Sequence, residues 1–310
     1  MTVSIVLPCH NSEDTLVQTL DSVMAQTCGA WRIVAVDDRS TDSTAAILAR
    51  FAERDDRIRI IDGPGQGAAA ARNAALNHID SELVAFLDAD DIWAPTRLSV
   101  LGEVFRTDQA RQIAFTRYAF FTDEPYDGPT RSTVPPGTLS VIDLLHENAV
   151  GTMSNLIVRR GALDCAGTFR EDMTHGEDRE WLVRAASLGL SIRGVPETLM
   201  QYRTRRGGLS TDLDKMYAGW RESVRSAETL GAMPSKAAMR SAEAVYLRYL
   251  ARRAMRLGFP PRMAASYAVK GVARSPGGFF SGGTRGALTL GAAMAGLVAP
   301  GTVRDALAHR

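Results

Sequence analysis

The sequence predicts an α/β protein with a mainly parallel sheet flanked by helices and a helical C-terminal extension. Three observations predict it. Short apolar runs alternate with helical patterns of about 12 residues through the first hundred positions, as βαβ units do. Runs such as Ile33–Val36 and Leu83–Leu87 are apolar throughout, which fits strands buried on both faces. Beyond about Asp212 the strand-like runs stop and the pattern turns helical and basic.

Each element follows in order. Val3–Leu7 is a β-branched first strand. A helix from Ser12 to Gln26 carries Leu16, Leu20, Val23 and Met24 at helical spacing. Trp31–Val36 is the second strand, and Asp42-Ser43-Thr44 starts a helix containing Ile47, Leu48 and Phe51. Arg57–Ile61 is the third strand, Gly67–His78 an alanine-rich helix, and Leu83–Leu87 a fourth strand ending at Asp88. Ile113–Phe121 and Asn155–Val158 read as strands, and Thr122–Gly137 as a loop rich in Pro, Gly and Asp. Glu177–Leu188 reads as a helix, Thr198–Tyr202 as a short strand and Arg203–Gly208 as a flexible connection.

At 310 residues, the chain suits one large domain or two small ones. With 45% apolar and 23% charged residues it can fill a core, which excludes global disorder. Cys9, Cys28 and Cys165 show no CxxC spacing, which argues against a disulfide scaffold or cysteine zinc site and fits a reducing cytoplasm. The opening MTVSIVLPCH reads as a strand and not as a signal peptide. No stretch of ~18 strongly apolar residues is present. The net charge of +1 hides a split. Residues 1–200 hold 18 Arg against 29 acidic residues, a net of −11, and residues 201–310 hold 18 basic against 6 acidic, a net of +12. The basic half calls for something anionic: nucleic acid, a membrane surface or a phosphate-bearing substrate. No named nucleic-acid motif accompanies it, so no nucleic-acid partner is expected.

Ligands of open α/β sheets bind at the carboxyl ends of strands. Three polar clusters stand at such ends: Pro8-Cys9-His10-Asn11, Asp37-Asp38-Arg39-Ser40-Thr41-Asp42, and Asp88-Ala89-Asp90-Asp91. Clustered carboxylates repel one another, and a bound hard cation with oxygen ligands would relieve the repulsion. Each cluster also has a structural reading. Asp91 could cap a turn, Asp37 and Asp42 could serve turn chemistry, and a carboxylate at the start of the 177–188 helix suits the helix dipole.

The segments VSIVLPCHN, WRIVAVDDRSTDST, GAAAARNAAL and LVAFLDADDIW, with GEDREW at 176–181, resemble glycosyltransferase family 2 in order and spacing. The resemblance spans about 200 residues through several separate motifs. It implies the Rossmann-like GT-A fold, with a catalytic domain over 1–211 (a nucleotide-sugar half, 1–105, and an acceptor half, 106–211) and a basic helical region over 212–310. It implies an inverting, metal-dependent transfer from a nucleotide sugar, expected to be a UDP-sugar, to a saccharide hydroxyl in bacterial polysaccharide synthesis. By position, Pro8 and Asn11 would lie near base and ribose, Asp38 would accept from the base, and Arg72 would sit near the donor. Asp90 would coordinate Mn2+ or Mg2+, with Asp88 toward the ribose or a metal-bound water and Asp91 in support. Asp178 would be the general base, and Glu177 would shape the acceptor site. The sequence departs from the family twice. His10 replaces the frequent aromatic residue, and Tyr202-Arg203-Thr204-Arg205 lacks the later His, so that Arg203, Arg205 or Arg206 would hold the diphosphate.

Two other classes share acidic strand ends: Mg2+-dependent nucleotidyl- or phosphoryl-transferring enzymes, and non-catalytic relatives. PCHNSEDT is neither Gly-rich nor basic, which counts against the first, and retention of both DADD and GED counts against the second. His175 and the cysteines read as structural. Arg248, Arg252 and Arg256 recur every four residues beside an apolar stripe of Ala242, Tyr246, Tyr249 and Leu250. That pattern suits a helix packed on the catalytic domain, or a surface for anionic lipid or a lipid-diphosphate acceptor. The second reading would place the enzyme peripherally on the cytoplasmic face of the inner membrane.

Overall fold

The computed structural model describes residues 1–122, 125, 130–204 and 211–298. The chain divides into two compact units, Met1–Leu139 with Ala149–Arg205, and Ser140–Asn148 with Arg206–Arg310. The first unit has the GT-A architecture that the motifs imply.

Its elements run β1 (Val3–Cys9), α1 (Leu16–Met24), β2 (Trp31–Asp37), α2 (Thr44–Ala52), β3 (Ile58–Asp62), α3 (Ala68–Leu76), β4 (Leu83–Phe86), β5 (Ile92–Trp93), α4 (Arg97–Thr107) and β6 (Ile113–Phe121). After α5 (Val141–His146), which belongs to the second unit, come β7 (Ile157–Arg159), α6 (Arg160–Ala166), α7 (Glu177–Ser187) and β8 (Ile192–Arg203). One sheet holds eight strands in the order β3-β2-β1-β4-β7-β6-β8-β5. β3, β2, β1 and β4 are mutually parallel, as are β6 and β8, while β7 and β5 run antiparallel to their neighbours.

The apolar strands are continuous because both faces are covered. Ile5, Leu7, Ile33, Leu83 and Ala85 pack with Leu16, Leu20 and Val23 of α1 and Leu48 of α2, all buried. Each fully buried Leu or Ile contributes roughly 1.5–3 kcal/mol. The parallel register sets Cys9 beside Asp37 and Asp37 beside Asp62, so three strand ends open on one edge.

Several local expectations are corrected. α1 begins at Leu16 and not at Ser12, because the Ser12 amide donates to Thr44 Oγ1 at 2.7 Å, pulling residues 12–15 into a turn against α2. The strand read at Thr198–Tyr202 is the end of the twelve-residue β8. A bulge hides its length, since Thr116 pairs with Val195 and Arg117 with Thr198, leaving Pro196 and Glu197 outside the ladder. α4, β5 and α5 have no counterpart in the sequence reading.

The second unit contains α5, α8 (Leu213–Thr229), α9 (Lys236–Arg256), α10 (Pro261–Arg274), α11 (Pro276–Phe279) and α12 (Arg285–Val298). Ala242, Tyr246 and Leu250 face its core, as their spacing implies. Tyr217, Trp220, Tyr246 and Tyr249 stack in series, and Trp220 Nε1 donates to the Leu145 carbonyl at 2.9 Å. Gly271 lets α10 approach Phe279, whose ring a Cβ there would meet at 2.6 Å. Arg248 does not share a solvent face with Arg252 and Arg256. It is buried, donating to the Phe279 and Ser281 carbonyls and to Glu147.

Candidate active site

The ends of β1 and β2 are tied side to side. His10 Nδ1 bonds the Asp38 carbonyl at 2.8 Å, and Asn11 Oδ1 accepts from the Thr41 amide at 2.8 Å. Among the described residues, the non-glycine positions with left-handed backbone are Asn11 (φ 46°) and Arg39 (φ 61°), one in each turn. Such conformations cost about 1–3 kcal/mol and are held by their surroundings. Pro8 is half-buried in β1 opposite Val36. Cys9 is buried, and burial, with Asp37 and Asp88 nearby, pushes its thiol well up, as in a structural cysteine.

Asp38 turns inward. Its two carboxylate oxygens accept the amides of Gly65 at 2.6 Å and Gly67 at 2.9 Å. The loop it holds follows β3 and reads Gly63-Pro64-Gly65-Gln66-Gly67. A Cβ at Gly63 would meet Asp38 Oδ1 at 2.5 Å, which explains that glycine. Sequence reasoning missed this partnership, although the glycine-rich loop was a visible signal.

The DADD cluster follows β4. Asp88 Oδ2 accepts from Thr152 Oγ1 at 3.0 Å, its amide donates to Ser154 Oγ at 2.9 Å, and its Oδ1 meets Arg72 Nη2 at 2.7 Å. Asp90 is half-buried, and its carbonyl accepts from Arg203 Nε at 2.9 Å. Asp91 is buried and takes the Arg203 amide on Oδ1 at 3.0 Å. Burial, with Asp90 and Asp88 beside it, pushes its carboxyl well above the usual range. Thr152 and Ser154 lie in a stretch with no motif to announce them.

Arg72 of α3 joins this cluster to the acidic motif. Its Nη1 donates to Glu177 Oε1 at 2.9 Å. Burial acts to lower its pKa, but Asp88 and Glu177 outweigh burial and hold the guanidinium protonated. Glu177 and Asp178 open α7 after Gly176, whose φ of 78° suits glycine. Burial, then Asp178, pushes the Glu177 carboxyl up, and Arg72 opposes them. Asp178 Oδ1 accepts the Arg179 amide at 2.7 Å. Asn73, next to Arg72, both accepts from and donates to the Phe169 backbone at 2.9 Å, fixing the segment that leads to α7.

The structure therefore brings Arg72, Asp88, Glu177 and Asp178 together, and sets Asp90, Asp91 and Arg203 side by side. It uses the Asp38 carboxylate within the protein. His175 Nδ1 lies 3.1 Å from Oγ1 of its neighbour Thr174, and Arg205 and Arg206 lie outside the described residues. Among the described residues, no three His, Cys, Asp or Glu side chains form a group able to hold a metal ion. Asp91 is directed into the protein, so Asp88, Asp90 and Asp91 are not a ready-made triad. The donor set still fits a hard cation, which needs only one or two carboxylates when substrate phosphates complete its shell. A separate cavity of about 550 Å³, lined by Asp62, Asn73, Asn77, Thr168 and Glu171 among others, lies beside α3 and contains none of these candidate residues.

The family model described as glycosyl transferase family 2 matches residues 4–167. The chain is 31% identical over 216 residues to the Bacillus subtilis teichuronic acid biosynthesis glycosyltransferase TuaG, covering 68% of this chain and 82% of TuaG. It is 27% identical over 238 residues to Escherichia coli WfaP, named as a UDP-Glc:alpha-D-GlcNAc-diphosphoundecaprenol beta-1,3-glucosyltransferase, covering 76% of this chain and 88% of WfaP. The mannosyltransferase PcManGT of Pyrobaculum calidifontis, solved with GDP-Man and Mn2+, superposes with a TM-score of 0.59 at 20% identity, covering 99% of this chain and 84% of that one. That likeness shows a shared fold. The chain belongs to glycosyltransferase family 2 and is a glycosyltransferase.

Proposed function

We propose that this glycosyltransferase takes its sugar from a UDP-sugar and adds it to a hydroxyl of a saccharide carried on a lipid diphosphate, inverting the anomeric centre. One observation carries the reading. Arg72 spans Asp88 at the β4 end and Glu177 at the start of α7 at 2.7 and 2.9 Å, which supports reading the donor-side and base-side motifs as one site. The donor and acceptor in WfaP's name support the UDP and lipid-diphosphate parts. An acceptor of that kind places the enzyme at the cytoplasmic face of a membrane, with 1–211 as the catalytic region and 212–310 as the basic one.

The β1 and β2 ends would receive the nucleotide. Pro8 and Asn11 would flank base and ribose, and Asp38 keeps lone pairs for a base N–H beyond its two amide bonds. Asp88 and Asp90 would hold Mn2+ or Mg2+ together with the diphosphate, and Asp91 would support them through its bond to Arg203. The cation would supply countercharge for the leaving diphosphate. The Arg72–Glu177 pair supports the adjacent Asp178 as the general base. The acceptor hydroxyl gives its proton to the Asp178 carboxylate as its oxygen bonds the anomeric carbon. The carbon–oxygen bond to the diphosphate breaks, and UDP departs with the electron pair.

The test combines thermal shift with a transfer assay. UDP-, GDP- and dTDP-sugars are compared with and without Mn2+ or Mg2+. A metal-dependent shift with the UDP-sugar, lost in Asp90→Ala, is expected. Asp178→Asn should keep that shift and lose roughly 10²–10⁴-fold in transfer. Normal transfer by Asp178→Asn would refute the base assignment, and a shift confined to GDP- or dTDP-sugars would refute the donor.

A further inference from the structure

α12 has an unusual surface for a helix at the edge of a protein unit. Its 14 residues, RGALTLGAAMAGLV, carry one charge, Arg285, at the first position. Gly286, Thr289 and Ala293 face inward among the helices of its own unit. The exposed side holds Ala287, Leu288, Gly291, Met294, Ala295 and Val298, all apolar and spaced as one helical face. Leu288 is 69% and Val298 87% exposed. A water-facing helix side is ordinarily polar. At 1.5 Å per residue the helix is about 21 Å long, short of the ~30 Å of a bilayer's hydrocarbon. Among the described residues, no helix is long and apolar enough to cross a membrane.

Positive charge gathers at the N-terminal end of this face. Arg285 meets Glu147 at 3.3 Å, and Arg248 meets the same carboxylate at 3.3 Å. Arg252 lies close to both. Burial lowers its pKa, Arg256 and Arg285 lower it further, and Glu147 opposes them. Glu147 is thus shared by Arg248 and Arg285, and its charge also reaches Arg252. Arg248 is spent on internal carbonyls, so Arg252, Arg256 and Arg285 form a cationic patch beside the apolar face. Charge complementarity chooses the occupant. An apolar partner would leave the patch unanswered, and an acidic one would leave the α12 face wet, while an anionic lipid surface answers both.

We propose that α12 lies in the plane of an anionic bilayer, with Leu288, Met294 and Val298 in the acyl boundary and Arg252, Arg256 and Arg285 against lipid phosphates. The inference deepens the reading of a lipid-borne acceptor and rests on it for its purpose, but not for its test.

The full chain is floated with vesicles of phosphatidylcholine alone, or of phosphatidylcholine mixed with phosphatidylglycerol. Binding to the mixed vesicles only, weakened by salt, is expected. Leu288→Glu with Val298→Glu should abolish binding. Arg252→Gln with Arg256→Gln should weaken it about 30-fold, at about tenfold or less per arginine. Both pairs should keep the parent's melting temperature and its transfer to a short water-soluble acceptor. No binding by the parent, or equal binding by the Leu288→Glu, Val298→Glu variant, overturns the proposal. A parent dimer that this variant splits, without vesicle binding, also overturns it and assigns the face to a second copy. Vesicle binding without sugar transfer to any acceptor would leave this surface standing and overturn the proposed reaction instead.

Discussion

At the scale of single residues, Arg72 decides most. It is 4% exposed and bridges two carboxylates, Asp88 and Glu177, that come from distant parts of the chain. Removing one partner of a buried ion pair strands the other charges, at about 3–5 kcal/mol. Arg72→Met should therefore lower the urea unfolding free energy by about 3 kcal/mol and abolish transfer. Arg72→Lys keeps the charge but not the fork that reaches both carboxylates, so it should recover stability better than activity. Unchanged stability in Arg72→Met would mean that the bridge is not what holds α7 to the β4 end. Asp38 teaches a related lesson. Its carboxylate organises the glycine loop beside it through both oxygens, and the remaining lone pairs are what the proposed donor contact would use.

At the scale of elements, α5 offers a test independent of catalysis. It has a full capping box, with Ser140 and Asp143 exchanging bonds, and ends on His146. Burial pushes the His146 pKa down and Arg248 adds to this, while Asp143 and Glu147 oppose. Its Nε2 is buried without a hydrogen-bond partner. A histidine with a lowered folded-state pKa takes up its proton more readily when unfolded. Its contribution is present above the unfolded value of about 6.5 and is lost as pH falls from there through the folded value. The urea midpoint should decline as pH falls below about 6.5, and His146→Gln should flatten that part of the curve. An identical slope in the variant would assign the decline to other groups.

At the scale of the whole molecule, the sheet order places β1 and β4 centrally and β3 and β5 at the edges. Amide exchange should be slowest in β1 and β4 and faster in β3. The site is assembled from strand ends far apart in sequence. A UDP-sugar with Mn2+ should therefore slow exchange at residues 9–12, 38–42 and 88–91 together. Protection at one of these segments alone would break the single-site reading. The charge split acts at this scale too, since the +12 of residues 201–310 includes the arginines beside α12.

The sequence by itself determined the strand–helix alternation, the apolar strands, the order of the motifs and with them the family. These are properties of near neighbours along the chain: a period, a run, or a turn where a strand stops. β5 and α4 escaped because two residues make no pattern, and because α4 opens on Arg97, a charged residue that is nonetheless fully buried, bonded to Thr116. Only the tertiary structure decided which carboxylates meet. Arg72 and Glu177 are 105 positions apart, and Asp88 and Thr152 are 64 apart. No local rule pairs them, because the pairing depends on where the sheet lays each strand end. The same holds for Arg248, which looks like a member of a solvent stripe until the packing of α9 against α11 buries it. It holds also for α12, whose composition reads as weakly apolar and whose outward face exists only once its inner side has been covered.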